Sequence, residues 1–368
     1  MTEPALHAPP HRDDTVVQRL STLDRFLPVW IIAAMVLGLA LGRAVPGLDD
    51  ALAAVEVGSV SLPIAVGLLV MMYPVLAKVR YDELGHVTRD RRMLVTSTVL
   101  NWVAGPLLMF TLAWVFLPDL PAFRTGLIIV GLARCIAMVL IWNDLACGDG
   151  EAAAILVALN AIFQILAFAL LGWFCLSVLP GWLGLAQAAL EVSMWSIATS
   201  VLVFLGIPLL AGYLTRTIGE RTRGREWYET SFLPRIGPAA LYGLLFTIVI
   251  LFALQGETIT GNPLDVARIA VPLLAYFVLM WGGSMLLTRA LRFDYQRATA
   301  VSFTAAGNNF ELAIAVAIGV FGVASGQALA GVVGPLIEVP ALVALVYVSL
   351  WARRFFPDRD PAPTGVPQ

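Results

Sequence analysis

The sequence predicts an all-α polytopic membrane protein. Hydrophobic residues make up 59% of its 368 positions and charged residues only 13%, whereas soluble domains average roughly 45–50% and 25%. The apolar runs are continuous, unlike the alternating segments of about ten residues in a transmembrane barrel. Together these observations indicate helices that cross a bilayer.

Ten apolar segments come close to the roughly 20 residues that a spanning helix needs. They cover residues 27–45, 60–76, 94–117, 125–145, 152–179, 192–214, 236–254, 267–287, 298–321 and 327–350. We therefore expect about ten transmembrane helices in one membrane domain, residues 26–351. Polar tails, 1–25 and 352–368, are expected on either side. The first shows no signal-peptide pattern, and it is expected to be disordered because it is polar and rich in proline and charge.

Loop charges predict the orientation of these helices. If both tails are cytosolic, nineteen arginines and lysines fall on inner segments and only Arg43, Arg124 and Arg268 fall on outer ones. This excess follows the positive-inside rule. We expect a multi-pass protein of the plasma membrane, which is the inner membrane in a bacterium, with both termini in the cytosol and lipids as neighbours.

An internal repeat is predicted from the helix count. Two halves of five helices, about 26–180 and about 190–351, would be inverted relative to each other because five is odd. The fourth and ninth segments are equivalent under this division, and both carry polar interruptions. Interrupted helices at corresponding positions mark the binding sites of secondary transporters. We therefore expect two inverted five-helix repeats, with the fourth and ninth helices discontinuous.

Two charged residues lie inside the interrupted segments. Arg134 lies in the fourth, where a charge costs about 2.5–3.5 kcal/mol on insertion scales, and Glu311 lies in the ninth. Desolvation disfavours the charged form of a carboxylate, so Glu311 can exchange a proton near neutral pH. The alternative is an ion pair with Arg134 that holds two helices together, and both roles can coexist.

The cysteines Cys135, Cys147 and Cys175 form neither a disulfide framework nor a Cys-x-x-Cys site. A lone buried cysteine is usually a small hydrophobe, which is the expectation for Cys175. Beside Cys135, however, Arg134 favours a thiolate, and soft sulfur suits a thiophilic element. A ligand role for Cys135 is therefore one hypothesis and simple packing the other. Cys147 is expected to be an accessible thiol at a helix end.

Further polar residues of the segments can either line one cavity or join helices by hydrogen bonds. They are Asn101, Asn143, Asp144, Asn160, Gln164, Asn308, Asn309 and Glu338. Most such side chains join helices rather than bind ligands. Asp144 differs, because a negative charge near a helix C-terminus is unfavourable. That conflict suggests a role in gating or as a partner charge.

Enzymatic and ATP-driven functions are disfavoured. The sequence has no phosphate-binding loop, zinc motif or nucleophile elbow. Its three histidines, His7, His11 and His86, all lie outside the apolar segments, so Cys135 would lack a histidine base if it acted as a nucleophile. We expect no enzyme activity, no cofactor and no nucleic-acid partner.

The interrupted segments carry a family resemblance. The runs GLARCIAMVLIWNDLACGDGE, LVALNAIFQ, FTAAGNNFELAIAVAI and GPLIEVPALVALVYVSLW resemble the arsenical-resistance family of arsenite efflux permeases, within the bile acid/sodium symporter superfamily. The resemblance covers about residues 23–351. It implies a core domain that moves against a panel domain, with the fourth and ninth helices unwound where they cross. Many relatives have lysine at the position of Cys147, so this cysteine is a departure.

The resemblance also implies a function, the efflux of arsenite from the cytosol by alternating access in exchange for protons, with antimonite as a further candidate. It assigns the arsenic(III) thiol ligand to Cys135, and transport or proton coupling to Glu311. We expect Asn160, Asn308 and Asn309 beside the hydroxylated substrate. The alternative is a sodium-coupled organic anion symporter of the same fold, in which Arg134 and helix N-termini would meet the anion.

Overall fold

A computed structural model describes residues 26–356 except for 46, 49–55, 58–59, 80–89, 137, 186–193, 255–262 and 324. The predicted tail 1–25, the tail 352–368 from residue 357 onward and the three histidines lie outside the described residues. The described chain is almost entirely helical. It also contains a small antiparallel ribbon that pairs β1 (Glu56–Val57) with β2 (Val60–Ser61).

The described helices occupy the ten predicted segments, which confirms the all-α membrane class. Six of them are long and apolar enough to cross a bilayer, and four shorter ones are also apolar. In chain order the helices are α1 (Leu27–Ala44), α2 (Leu62–Ala77), α3 (Arg91–Phe116), α4 (Pro121–Leu132), α5 (Met138–Leu145), α6 (Gly150–Trp182), α7 (Met194–Arg223), α8 (Arg225–Leu254), α9 (Pro263–Ala290), α10 (Tyr295–Ala306), α11 (Phe310–Phe321) and α12 (Gly326–Phe355). The inverted relation of the two halves stays a prediction.

Two helices extend beyond their predicted apolar segments. α7 continues to Arg223 and α8 starts at Arg225, because the polar stretch between the segments is rich in arginine and glutamate, which favour helices. The chain reverses at Gly224, whose φ of 87° is a conformation that glycine adopts without strain.

The helices pack as two groups. The panel comprises α1, α2, α7 and α8, and its glycines allow close backbone approach. A Cβ on Gly38 of α1 would lie only 2.5 Å from the carbonyl oxygen of Val249 in α8. The core comprises α3–α6 and α9–α12, in which α9 packs on α10 and α12 while α12 packs on α4 and α11. Small residues at helix contacts are typical of membrane bundles.

Basic residues concentrate at one end of the bundle, called here the arginine-rich end. Arg297 donates to Asp90 at 2.8 Å and lies 4.0 Å from Asp149, so the N-termini of α3, α6 and α10 meet there. The described cations of this end are Lys78, Arg91, Arg92, Arg216, Arg221, Arg223, Arg225, Arg235, Arg289, Arg292, Arg297, Arg353 and Arg354. Among the described residues, the opposite end has Arg43, Arg124 and Arg268. The described loops therefore carry the predicted charge asymmetry.

The panel and the core are in close contact near the opposite end. There the start of α7 packs on α6 and α11. A Cβ on Gly319 of α11 would lie 2.6 Å from Oγ of Ser200, and a Cβ on Gly172 of α6 would lie 3.0 Å from Cδ1 of Ile197. The two groups are thus tightly packed on this side, whereas a cavity separates them toward the arginine-rich end.

Candidate functional site

Two pairs of short helices replace continuous spans in the middle of the core. One break separates α4 from α5, and the other separates α10 from α11. Gly307 leaves the helical conformation (φ −69°, ψ 139°) at the end of α10. The side chain of Asn309 then caps α11 by accepting a hydrogen bond from the Leu312 amide at 2.9 Å. The polar residues that interrupt the ninth segment are therefore the ones that end one helix and start the next.

The two breaks cross and hydrogen-bond to each other. The Cys135 amide donates to the Gly307 carbonyl at 3.2 Å, and the Asn309 amide donates to the Ala133 carbonyl at 3.0 Å. These four backbone groups are thereby paired within the protein, as non-helical backbone inside a bilayer requires. The expected discontinuous, crossing helices are present.

The helix ends that point at the crossing have dipoles that stabilise the charged groups there. α5 and α11 direct their N-termini at it, and Glu311 lies in the first turn of α11, where a negative charge is stabilised. Cys135 lies at the same crossing, shortly before the N-terminus of α5. α10 directs its C-terminus at the crossing, and Arg134 donates to the Ala305 carbonyl there at 3.3 Å. The helix dipoles thus help both signs of charge to coexist here.

The side chain of Arg134 is fully buried and anchored on the core. Its Nη1 donates to the Tyr276 hydroxyl at 2.7 Å, and its backbone amide donates to Oε1 of Gln164 at 2.9 Å. The guanidinium fits against Gly105, where a Cβ would lie 2.6 Å from Nη1. Gly105 directly follows a π-helical turn, Leu100–Ala104, of the kind that often marks functional sites.

The ion pair considered for Arg134 and Glu311 is not formed. Among the described residues, the guanidinium of Arg134 has no carboxylate within ion-pair distance, because Tyr276 and the C-terminal carbonyl of α10 bind it instead. Its contacts lie on the side of α9 and α3, whereas Glu311 lines the cavities described next.

A small cavity of about 20 Å³ lies at the crossing, enough for one water-sized group. Its lining residues are Val75, Cys135, Ile136, Met138, Asn308, Asn309, Glu311 and Glu338. Five predicted site residues therefore meet here. The Asn308 amide donates to Oε1 of Glu338 at 3.4 Å. The side-chain amide of Asn308 has no hydrogen-bond partner within the described residues, and neither has Nδ2 of Asn309. Buried amides of this kind are costly unless water or a ligand completes them.

A larger cavity of about 500 Å³ separates the panel from the core toward the arginine-rich end. Residues of α2 and α8 form its panel wall, and residues of α5 and α6 form its core wall. The exposed residues Lys78 and Asp144 lie on opposite walls at its mouth. Glu311 lines both cavities. A small solute that enters from the arginine-rich end can therefore reach Glu311, beside the small cavity that Cys135 lines.

Some predicted site residues line neither cavity: Asn101, Asn143, Asn160 and Gln164. Oδ1 of Asn160 accepts a hydrogen bond from Nε1 of Trp102 at 3.3 Å, and Nδ2 of Asn101 donates to the Ser97 carbonyl at 2.8 Å. The structure thus places Asn160 behind the crossing, joined to α3, rather than beside the cavity that holds Cys135.

The three cysteines have different surroundings. Cys135 is 4% exposed at the crossing, and Cys175 is 1% exposed inside α6. Cys147 is exposed in the turn after α5, with a left-handed φ of 55°. Their placements agree with the expected packing role of Cys175 and the expected accessibility of Cys147.

Three residues of the site were not recognised from the sequence. They are Gly105 and Tyr276, which contact Arg134, and Lys78, which lines the larger cavity. Lys78 is the only lysine of the chain, a signal that could have marked it. A tyrosine or a glycine in an apolar helix carries no such signal, because both are common in membrane spans.

Comparisons with known proteins agree on one family. Residues 65–262 match the model of the Sodium Bile acid symporter family. The arsenical-resistance protein Acr3 of Corynebacterium glutamicum is 59% identical over 348 residues, 94% of each chain. Acr3 of Alkaliphilus metalliredigens is 34% identical over 349 residues, 91% of this chain and 94% of the relative. An uncharacterized transporter of Synechocystis is 35% identical over 361 residues, 93% of this chain and 92% of the relative.

Proposed function

The chain belongs to the Sodium Bile acid symporter family, and we propose that it exports arsenite from the cytosol in exchange for protons. Two relatives that match more than nine-tenths of its length are arsenical-resistance proteins. The relatives are described as resistance proteins or as a transporter, which supports transport rather than catalysis. The arginine-rich end would face the cytosol of a plasma membrane, the inner membrane in a bacterium, with both termini on that side.

One observation carries the proposal: a thiol, a carboxylate and two asparagine side chains with hydrogen-bonding atoms that have no partner within the described residues meet in the small cavity at the crossing. The sulfur of Cys135 is a soft ligand that suits arsenic(III). The side chains of Asn308 and Asn309 can hydrogen-bond to hydroxyl groups, and Glu311 can carry a proton. The larger cavity leads from the arginine-rich end to Glu311, which lines both cavities.

Binding would exchange a hydroxyl group for the thiol. Arsenite at physiological pH is the neutral trihydroxide, As(OH)₃. An S–As bond forms at Cys135, one As–O bond breaks, and the thiol proton leaves with the hydroxide as water. Hydrolysis reverses the step, with no change in oxidation state. A single thiol suits a transporter, because three thiols would hold arsenic too tightly for release.

Glu311 would couple this cycle to protons. The carboxylate is deprotonated while the cavity is open to the cytosol, and it is protonated from the outside in the other state. Rocking of the core against the panel then exchanges outward arsenite for inward protons. The position of Glu311 on both cavities supports this role, because a group that couples flux must contact the substrate path.

The placement of Arg134 argues against an organic anion as the substrate. Its guanidinium is enclosed by Tyr276, Ala305 and Gly105. A carboxylate or sulfonate in the small cavity would face Glu311 and Glu338, whereas Arg134 lines neither cavity, which is electrostatically unfavourable.

Arsenite uptake into everted membrane vesicles, with and without an acidic interior, tests the proposal. Wild type should accumulate arsenite when the interior is acidic. Cys135→Ser should lower the initial rate by about tenfold or more while the protein stays in the membrane. Cys175→Ser is the matched control, a buried cysteine outside both cavities. Normal accumulation by Cys135→Ser would refute the ligand role, and uptake indifferent to the pH gradient would refute proton exchange.

A further inference from the structure

Two residues of opposite charge line the large cavity from its two walls. Lys78 follows α2 on the panel, and Asp144 lies in the last turn of α5 on the core. Both side chains are exposed, and neither forms an ion pair within the described part of the chain. We propose that the two residues pair when this mouth closes and so act as its latch. The proposal rests on the alternating access of the proposed function.

Lys78 is suited to a contact that is made and broken. The chain has 23 basic residues, and Lys78 is the only lysine among them. Its ammonium is a compact, hydrated charge on a flexible stem, whereas arginine favours fixed bidentate pairs. Its backbone is anchored on the panel, because its carbonyl accepts from Nη2 of Arg216 at 3.3 Å. The side chain can therefore extend into the mouth from a fixed base.

Asp144 lies at a helix end where a nearby cation would stabilise its carboxylate. It is near the C-terminal end of α5, at which a negative charge is unfavourable. A Cβ on Gly150 would lie 3.6 Å from Oδ1 of Asp144, in ordinary contact, so the glycine at the start of α6 presents no side chain to the carboxylate. An approaching ammonium would offset the unfavourable end charge. The latch thus explains a residue that helix formation alone disfavours.

The other charged groups around the mouth are engaged or lie deeper. Arg216 pairs with Glu220 at 2.7 Å and lies 3.8 Å from Glu229. On the core side, Arg297 pairs with Asp90 at 2.8 Å. Glu311 is the other carboxylate of the cavity lining, and it also lines the small cavity at the crossing. Lys78 and Asp144 are therefore the complementary pair at the mouth.

Closure would bring the two exposed side chains together at the surface of the protein. An ion pair at a surface is weak in water, so it would bias the closed state without locking it. That is the behaviour a gate needs if it opens once in every transport cycle.

Labelling of Cys135 from each side of the membrane measures the latch without arsenite. The background Cys147→Ser/Cys175→Ser leaves Cys135 as the only thiol. The readout is the ratio of modification rates by a charged, impermeant methanethiosulfonate in everted and right-side-out vesicles. Lys78→Asp or Asp144→Lys should raise the cytosolic-to-external ratio about two- to fivefold. The double swap Lys78→Asp/Asp144→Lys should restore it, and Arg221→Glu, a change of surface charge at the same end, should leave it unchanged.

Two results would overturn the latch. One is a ratio that stays at the wild-type value in both single variants, and the other is a swap that behaves like the single variants. Cross-linking of Lys78→Cys/Asp144→Cys by a bifunctional methanethiosulfonate, in a background without the native cysteines, provides a second measurement. The side chains of a lysine–aspartate pair span more than the roughly 4.4–6.8 Å between the Cα atoms of a disulfide, so the reagent supplies the extra length, and failure to cross-link would also reject the latch. Neither readout uses arsenite, so failure of the latch is distinguishable from failure of the proposed transport.

Discussion

The amide of Cys135 donates a hydrogen bond to the carbonyl of Gly307 at 3.2 Å, which ties the candidate arsenic ligand to the opposite helix break. A Cβ on Gly307 would lie 2.9 Å from the Cβ of Cys135 and 3.3 Å from the carbonyl oxygen of Phe303. Glycine therefore determines how closely the two breaks approach. The position of the Cys135 thiol thus depends on the absence of a side chain at Gly307.

Gly307→Ala should push the breaks apart. Overpacking of this kind costs about 1–3 kcal/mol, so we expect a lower unfolding temperature in detergent and slower arsenite uptake by everted vesicles. Gly282→Ala is the matched control, because no atom lies within 4 Å of a Cβ at that position in α9. If both variants unfold and transport like wild type, close approach at Gly307 is not required.

Tyr276 holds the guanidinium of Arg134 in place. Tyr276→Phe keeps the ring and removes the hydroxyl, which leaves Nη1 with the Ala305 carbonyl at 3.3 Å. Nη1 then has one acceptor for its two N–H groups, and a buried N–H without a partner costs about 1–3 kcal/mol, so thermal unfolding in detergent should shift to lower temperature. Tyr347→Phe, at an exposed tyrosine of α12, should cause no shift. Equal stability of the two variants would show that the Tyr276 hydroxyl contributes nothing.

The positions of the helices and of both breaks could be predicted from the sequence. A helix that spans a bilayer requires an apolar run of about 20 residues. Within such a run, polar residues and glycines are the positions at which the helix is interrupted. Arg134–Cys135 and Gly307–Glu311 were recognisable for that reason. That these two stretches meet at one crossing was predicted only from the family resemblance.

The partners of these residues could not be predicted, because the rotation of each helix about its axis decides which face meets which neighbour. Asn160 and Gln164 are four residues apart and so share one face of α6. That face meets Trp102 and the Arg134 amide rather than the cavity. Tyr276 is separated from Arg134 by 142 residues, and nothing in the spacing of either links them.

Glu311→Gln should uncouple transport from protons. The amide keeps the size and hydrogen bonding of the carboxyl group but cannot release a proton, so arsenite uptake by everted vesicles should stop responding to an acidic interior. Glu151→Gln, an exposed position at the start of α6, is the control and should keep the response. Uptake that the pH gradient still drives in Glu311→Gln would place coupling elsewhere.

A bidentate ion pair joins α9 to the loop between α3 and α4 at the end opposite the arginine-rich end. Nη1 of Arg268 donates to Oδ2 of Asp119 at 2.8 Å, and Nη2 donates to Oδ1 of the same carboxylate. Nη2 also donates to the Phe116 carbonyl at 3.2 Å. The side-chain hydrogen bond from Arg268 is the main cause that lowers the pKa of Asp119 from 3.8 to about 2. The carboxylate therefore stays charged well below the usual range.

The ion pair of Arg268 and Asp119 should make the stability of the folded protein depend on pH between about pH 4 and 2. Because the folded-state pKa of Asp119 is lowered, its contribution is present above an unfolded pKa of about 4 and is lost as the pH falls toward about 2. Arg268→Gln should therefore unfold at a lower temperature than wild type by a constant margin above about pH 5, and this margin should shrink between about pH 4 and 2. Arg43→Gln, at another outer arginine that forms no ion pair within the described residues, should show no such window. A margin for Arg268→Gln that does not change with pH would mean that the stabilisation comes from the Phe116 carbonyl instead of Asp119.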